Sequence, residues 1–175
     1  MTKTEIEHDI FGKMVGNKDF INTMISNQKF FKHGLLEVLV NEKDDMSVNF
    51  IRTMLIQAEN SNVYIMPMGD FVMYFTKDFK SVIAFALRTP NPTHAKCFKD
   101  KNFVEIDTLH SNKKGNGSYL MNLVIETAEA INVPVALWSE TSKNTAYYNK
   151  YNFKPYGKKG KNKEELLIRK RVPSI

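Results

Sequence analysis

The chain predicts a mixed α/β domain with a mostly antiparallel central sheet, one parallel strand junction and flanking helices. Three observations predict it. Apolar residues in the first third of the 175 residues recur at intervals of three and four, and in the middle third the interval drops to two. The stretch from Phe103 to Trp138 then runs strand, glycine turn, helix, strand, an order that implies a parallel pair joined by a right-handed crossover. There is no repeat, low-complexity tract or Pro/Ser-rich linker, so residues 1–175 are expected to form a single domain.

The elements follow in order. Asp19 can cap a helix carrying Phe20, Ile21, Met24 and Ile25 on one face, continued through Phe30, Phe31, Leu35, Leu36 and Leu39 with Gly34 as a break. Ser47 can cap a second helix through Val48, Ile51, Leu55 and Ala58, which ends in the Asn60-Ser61-Asn62 turn. A short strand over 63–66, a turn at Met68-Gly69-Asp70 and strands over 71–76 and 81–88 make an antiparallel meander. Pro90 and Pro92 force 89–93 to be irregular, and the loop continues to Asn102. Phe103 to Leu109 alternates by twos, which places Glu105 and Asp107 on a face with Phe103 and Leu109. A helix over 119–131, a strand over 133–138, a short helix over 144–150 and strands near 153–156 and 165–171 complete the chain.

Composition narrows the class. Hydrophobic residues make up 42% and charged residues 25%, ordinary for a globular protein. No apolar run is long enough to cross a membrane, and the first residues lack the apolar core of a signal peptide, so no membrane partner and a cytoplasmic location are expected. The single cysteine, Cys97, has no partner at metal-ligand spacing and fits a reducing compartment. Net charge is +6, and the stretch from Lys158 to Arg171, with seven basic residues against Glu164 and Glu165, holds nearly all of it. That segment is read as a solvated loop and edge strand rather than a nucleic-acid platform, because no aromatic residue after Tyr156 interleaves with the charges. His8, His33, His94 and His110 show no paired spacing, so no metal is predicted; His110, just after a strand, is read as an exposed turn residue or a substrate contact.

Chemistry is concentrated around Lys113-Lys114-Gly115-Asn116-Gly117-Ser118. A Gly-x-Gly turn between a strand and a helix lets backbone N–H groups converge beside the positive end of a helix, a geometry suited to phosphate. Thirty residues on, Asn144 and Tyr148 stand four apart, so one helical face presents both.

These two blocks carry a resemblance. Pro134 to Phe153 resembles the second signature of the GCN5-related N-acetyltransferases (GNAT), approximately P-V-x-L-x6-N-x3-Y-x3-G-F, at Pro134, Val135, Leu137, Asn144, Tyr148 and Phe153. The turn is similar to the family's first signature, [QR]-G-x-G-x-G-S, at Lys114, Gly115, Gly117 and Ser118. The departures are Asn112 and Lys113 at the head of the loop and Asn152 where the second signature has glycine. Asn tolerates a left-handed backbone second best after glycine.

The resemblance implies a GNAT-like fold and acetyl transfer from acetyl-CoA to an amine in a ternary complex. It implies that the backbone of Lys114, Gly115, Asn116, Gly117 and Ser118 holds the pyrophosphate, with Lys113 and Lys114 adding charge. The backbone near Leu109 would pair with the pantetheine arm, Asn144 would contact it, and Tyr148 would protonate the departing thiolate. Glu105 is the candidate base, with Glu140 as the other. Tyr147 and Tyr151 are read as packing residues. The acceptor is a small-molecule or protein amine, a homodimer is left open, and a non-catalytic CoA-binding regulatory module is the alternative.

Overall fold

The computed structural model describes residues 3–173, and among these seven strands assemble into one sheet of order β1-β2-β3-β4-β5-β7-β6. The strands are β1 (Val63–Met68), β2 (Phe71–Thr76), β3 (Ser81–Arg88), β4 (Phe103–Ser111), β5 (Val135–Ser139), β6 (Lys154–Lys159) and β7 (Glu165–Arg169). All neighbouring pairs run antiparallel except β4 and β5, so the expected mixed architecture with one parallel junction is what forms.

Among the described residues six α-helices surround the sheet: α1 (Lys3–Val15), α2 (Lys18–Ser26), α3 (Gln28–Asn41), α4 (Asp45–Asn60), α5 (Asn116–Ala130) and α6 (Ser142–Asn149). The first third thus holds four helices rather than two. Lys3–Val15 forms a helix that the apolar spacing alone did not mark. The caps also sit earlier than expected. Asn17, not Asp19, accepts from the amides of Asp19 and Phe20 at 2.9 and 3.2 Å. Asp44, not Ser47, accepts from the Ser47 amide at 2.8 Å. In both places an Asn or Asp two or three residues upstream reaches the orphan amides first. The break between α2 and α3 falls at Asn27, and Gly34 lies inside α3.

One large core lies between the sheet and α4 and α5, with Phe50, Met54, Tyr74, Phe85, Leu120, Met121 and Phe153 among its members. A second packs Phe11 of α1 and Met24 of α2 onto Phe75, Phe79 and Val82 on the opposite face. Gln57 of α4 links the layers. Its side-chain oxygen accepts from Tyr74 at 3.0 Å and Thr127 at 2.8 Å, and its amide donates to the Leu123 carbonyl at 2.8 Å. This fixes α4, α5 and β2 against one another.

The register of β4 corrects the sequence reading. Phe85 pairs with Ile106 and Ala84 with Thr108, which leaves Asp107 as the extra residue of a bulge. A bulge shifts the alternation. Leu109 therefore packs against the large core with Val104 and Ile106, whereas Phe103 belongs to a cluster with Ala136, Leu166 and Ile168. Phe103 and Leu109 do not share a face.

β1 is an edge strand whose outward row is Val63, Ile65 and Pro67. Gln28 of α3 accepts from the Ile65 N–H at 2.9 Å and donates to the Ile65 carbonyl at 3.0 Å, and Pro67 has no N–H to offer. Gln28→Ala would leave both groups of a fully buried residue without this partner. We expect it to destabilise the protein by about 1–3 kcal/mol in urea unfolding, and to promote association through the exposed edge, read by light scattering.

Candidate active site

β4 and β5 pair only from Val104–Val135 to Ile106–Leu137, although β4 continues to Ser111 and β5 to Ser139. Beyond the bulge the two strands part, and a cleft of about 660 Å³ opens between them. Its floor is the β4 run from Ile106 to Ser111, with Leu137 and Trp138 of β5 opposite. One end is closed by Lys113, Lys114, Gly115, Gly117 and Ser118, and one wall by Asn144, Tyr147 and Tyr148 of α6. Leu109, Asn144, Tyr148 and most of the glycine turn, far apart in the chain, therefore line one cavity.

The turn is built as a helix start without a side-chain cap. Gly115 occupies the N-cap with φ +90°, where a Cβ would be strained. Gly117 and Ser118 follow as the second and third residues of α5, positions whose amides have no partner within the helix. Gly117 is buried, and a Cβ there would stand 3.2 Å from the Tyr147 hydroxyl oxygen and 3.4 Å from Ser111 Cβ.

Asn116 does not face the cleft. Its side-chain amide reaches 3.2 and 3.3 Å from the Asp78 carboxylate oxygens, in the β2–β3 connection. The Lys113 ammonium lies 3.3 Å from the same carboxylate, and the Asn112 amide donates to the Lys80 carbonyl at 2.8 Å. The hairpin thus braces the turn from outside. Burial pushes Asp78 up, but bonds from the Lys80 amide, Thr76, Asn116 and Lys113 outweigh it and hold the carboxyl well below the usual carboxylate range.

Tyr148 packs its ring against Phe153 (centroids 6.0 Å apart) and the large core, and its edge lines the cleft. Burial, with Tyr151 beside it, pushes its phenol up to about 12, so it is protonated at neutral pH. Asn152 adopts φ +64°, the left-handed conformation expected of a stand-in for glycine.

Tyr147 and Tyr151 do more than pack. The Tyr147 hydroxyl lies 3.2 Å from that of Tyr151, which donates to Ser118 Oγ at 2.8 Å. Tyr147 also lines the cleft. The three-four spacing of Tyr147, Tyr148 and Tyr151 placed them near one another, but no local signal tied Tyr151 to Ser118, 33 residues away.

His110 is not an exposed turn residue. It lies in β4, 5% exposed, stacked on Phe11 and beside His8. Burial and then the charge of His8 lower it to about 4, so it is neutral at pH 7. Thr108 bridges Glu7 of α1 (2.8 Å) and His110 Nε2 (3.2 Å), which brings Glu7 into the cleft lining from a helix that the sequence did not connect with the site.

Glu105 stands outside this cleft, on a neighbouring cavity of about 430 Å³. The two cavities share Glu7, Ile106, Asp107, Trp138 and Glu140, so one continues into the other. Among the described residues no cluster of His, Cys, Asp and Glu is suited to hold a metal, and no helix is long and apolar enough to cross a membrane.

No protein-family model and no curated protein sequence matches the chain. Among solved structures it is similar to a histone acetyltransferase HPA2 and related acetyltransferase from Corynebacterium glutamicum, at 16% identity and a TM-score of 0.47, over 100% of this chain and 96% of that one. It is also similar to the Bacillus subtilis N-acetyltransferase YlbP in complex with coenzyme A, at 19% identity and a TM-score of 0.41, over 69% of this chain and 80% of that one. A protein from Pyrococcus horikoshii shares 16% identity at a TM-score of 0.46, over 90% and 94% of the two chains. At such scores and identities these likenesses carry no weight for what this chain does, and function has to come from the cleft itself.

Asp78 supplies a test of the brace. Its folded-state pKa lies below the ordinary 3.8, so the stability it adds is present above that pH and is lost as pH falls through the folded value. Asp78→Asn should therefore be less stable than wild type at pH 7, with the gap closing below pH 3.8, as followed by denaturant unfolding across pH.

Proposed function

We propose that the protein is an acetyl-CoA-dependent N-acetyltransferase of the GCN5-related kind, acting on a primary amine by direct attack in a ternary complex. The observation that carries this is the parting of β4 and β5 after Ile106 and Leu137, which joins an uncapped helix start to a protonated tyrosine through one continuous cleft.

The residues present fit acetyl-CoA. The amides of Gly117 and Ser118, at the positive end of α5, suit the pyrophosphate, with Gly115 shaping the turn and Lys113 and Lys114 adding positive charge beside them. Asn116 contributes through its backbone position, while its side chain braces the turn against Asp78. The β4 backbone near Leu109, where pairing to β5 has ended, offers strand-like partners to a pantetheine arm, and Asn144 lines its path. Bound acetyl-CoA would supply an acetyl group activated as a thioester.

Acetyl transfer needs an acid for the departing thiolate and a route for the amine proton. Tyr148 is assigned the acid role: it lines the cleft and keeps its proton at neutral pH. Glu105, on the cavity that continues the cleft, is assigned the base role through water, with Glu140 on the shared wall as the alternative. That second cavity is the acceptor side. The acceptor is a small-molecule or protein amine.

Two measurements test the reading. Acetyl-CoA at about 100 times its Kd should stabilise the protein by about 2.7 kcal/mol in thermal unfolding, and no shift would sink the proposal. Tyr148→Phe should lower kcat for CoA release with a panel of amines by about a hundredfold or more. Donor binding without turnover on any amine, and no effect of the substitution, would point instead to a non-catalytic CoA-binding module.

A further inference from the structure

We propose that a second copy of this chain docks on helix α3, in an antiparallel pair about a twofold axis at Gly34. The cleft takes no lining residue from α2, α3 or α4, so this surface stands apart from the acetyl-CoA reading. Phe30, Gly34 and Val38 lie four apart on one stripe of α3 and edge an open groove of about 610 Å³. Phe31, Leu35, Phe50, Met54, Phe71 and Leu87 line it, and Phe30 stands 71% exposed beside it. The polar groups at its rim are engaged within the chain. Glu42 accepts from the Lys43 and Asp44 amides at 2.8 and 2.9 Å, Ser47 donates its hydroxyl to Asp44 at 2.8 Å, and Asp70 pairs with Arg88. The groove thus offers apolar surface, which suits an aromatic side chain better than a polar ligand.

Three features make a second copy the occupant. The groove and the protruding ring share one patch, as a twofold interface requires. Phe30 precedes Gly34 by four residues and Val38 follows it by four. An antiparallel partner therefore sets its own Phe30 against Val38 and the groove, and receives this Phe30 in the same way. Second, nothing in the described structure calls for glycine at 34. It sits inside a helix without a positive φ, and a Cβ there would meet nothing within 4 Å. Glycine is unfavourable inside a helix, but at a crossing its missing side chain lets two backbones approach. Third, charge agrees. Lys29, Lys32 and His33 occupy the first half of α3, Glu37 the second, and Glu42 its C-cap. An antiparallel pair sets basic halves beside acidic ones and opposes the helix dipoles, whereas a parallel pair sets like against like.

Sedimentation velocity over micromolar concentrations tests this on the full chain. The wild-type protein should dimerise, and Phe30→Asp should weaken the dimer about thirtyfold or more. Gly34→Gln should weaken it about tenfold or more, because the added side chain holds the helices apart. At a dilution where wild type is monomeric, the same variant should melt about 2 °C higher, since the helix gains a better former. Loss of the dimer is then not loss of the fold. Glu37→Lys should also weaken the dimer, and adding Lys29→Glu should restore it. A monomeric wild type, a dimer unmoved by Phe30→Asp and Gly34→Gln, or no loss from Glu37→Lys would each overturn the proposal. Wild-type protein that stays monomeric, yet binds an anilinonaphthalenesulfonate dye that Phe30→Asp releases, would give the groove to a different partner and overturn it as well.

Discussion

The site depends on where one ladder of hydrogen bonds stops. β4 and β5 are the only parallel neighbours among the described strands, and they stay together for three residue pairs before the Asp107 bulge turns β4 away. Were the ladder to continue to Ser111, the backbone of 107–109 would be consumed by β5 and no cleft would exist. The extra residue in β4 creates the space and also re-aims the side chains on either side of it. It puts Leu109 with the large core and His110 against Phe11.

Around that gap the protein holds its parts from outside. The glycine turn is fastened to the β2–β3 connection through Asp78, which holds the Lys113 ammonium and the Asn116 side chain, and through the Lys80 carbonyl, which accepts from the Asn112 amide. Helix α5 is held by Gln57 at Thr127 and Leu123, about two to three turns from its start. The amides at its amino end are thereby left free of capping duty while the helix itself stays in register. Preorganised donors of this kind bind charge without reorganising, which is why polar networks sit behind the site.

Much of this was legible in the residues. Alternation by twos marked β4, β-branched and aromatic or nearly continuous apolar content marked β2 and β3, and the strand–turn–helix–strand order marked the single parallel junction. Asn144, Tyr148 and most of the glycine turn line one cleft, and Asn152 takes the left-handed conformation expected of a stand-in for glycine. What escaped was non-local. The bulge at Asp107 has no local sign, because Asp is at home at an exposed strand position and in a bulge alike. Asn17 and Asp44 outcompeted the expected caps by lying slightly upstream. Glu7 enters the cleft lining because α1 packs beside Thr108, about 100 residues further along the chain. Asn116 belongs to the glycine turn by position, yet its side chain serves the hairpin.

The sheet also has a boundary that chain length does not explain. At its outer strand, Gln28 offers Ile65 the same donor and acceptor that a neighbouring strand would, and Pro67 withholds the next amide. One side chain on a helix thus imitates an eighth strand. A second chain seeking to extend the sheet there would have to evict Gln28 and would meet a missing donor two residues on. The protein is sealed against templated growth on this side by local mimicry, which lets a hydrophobic outer strand remain in place without recruiting its own kind.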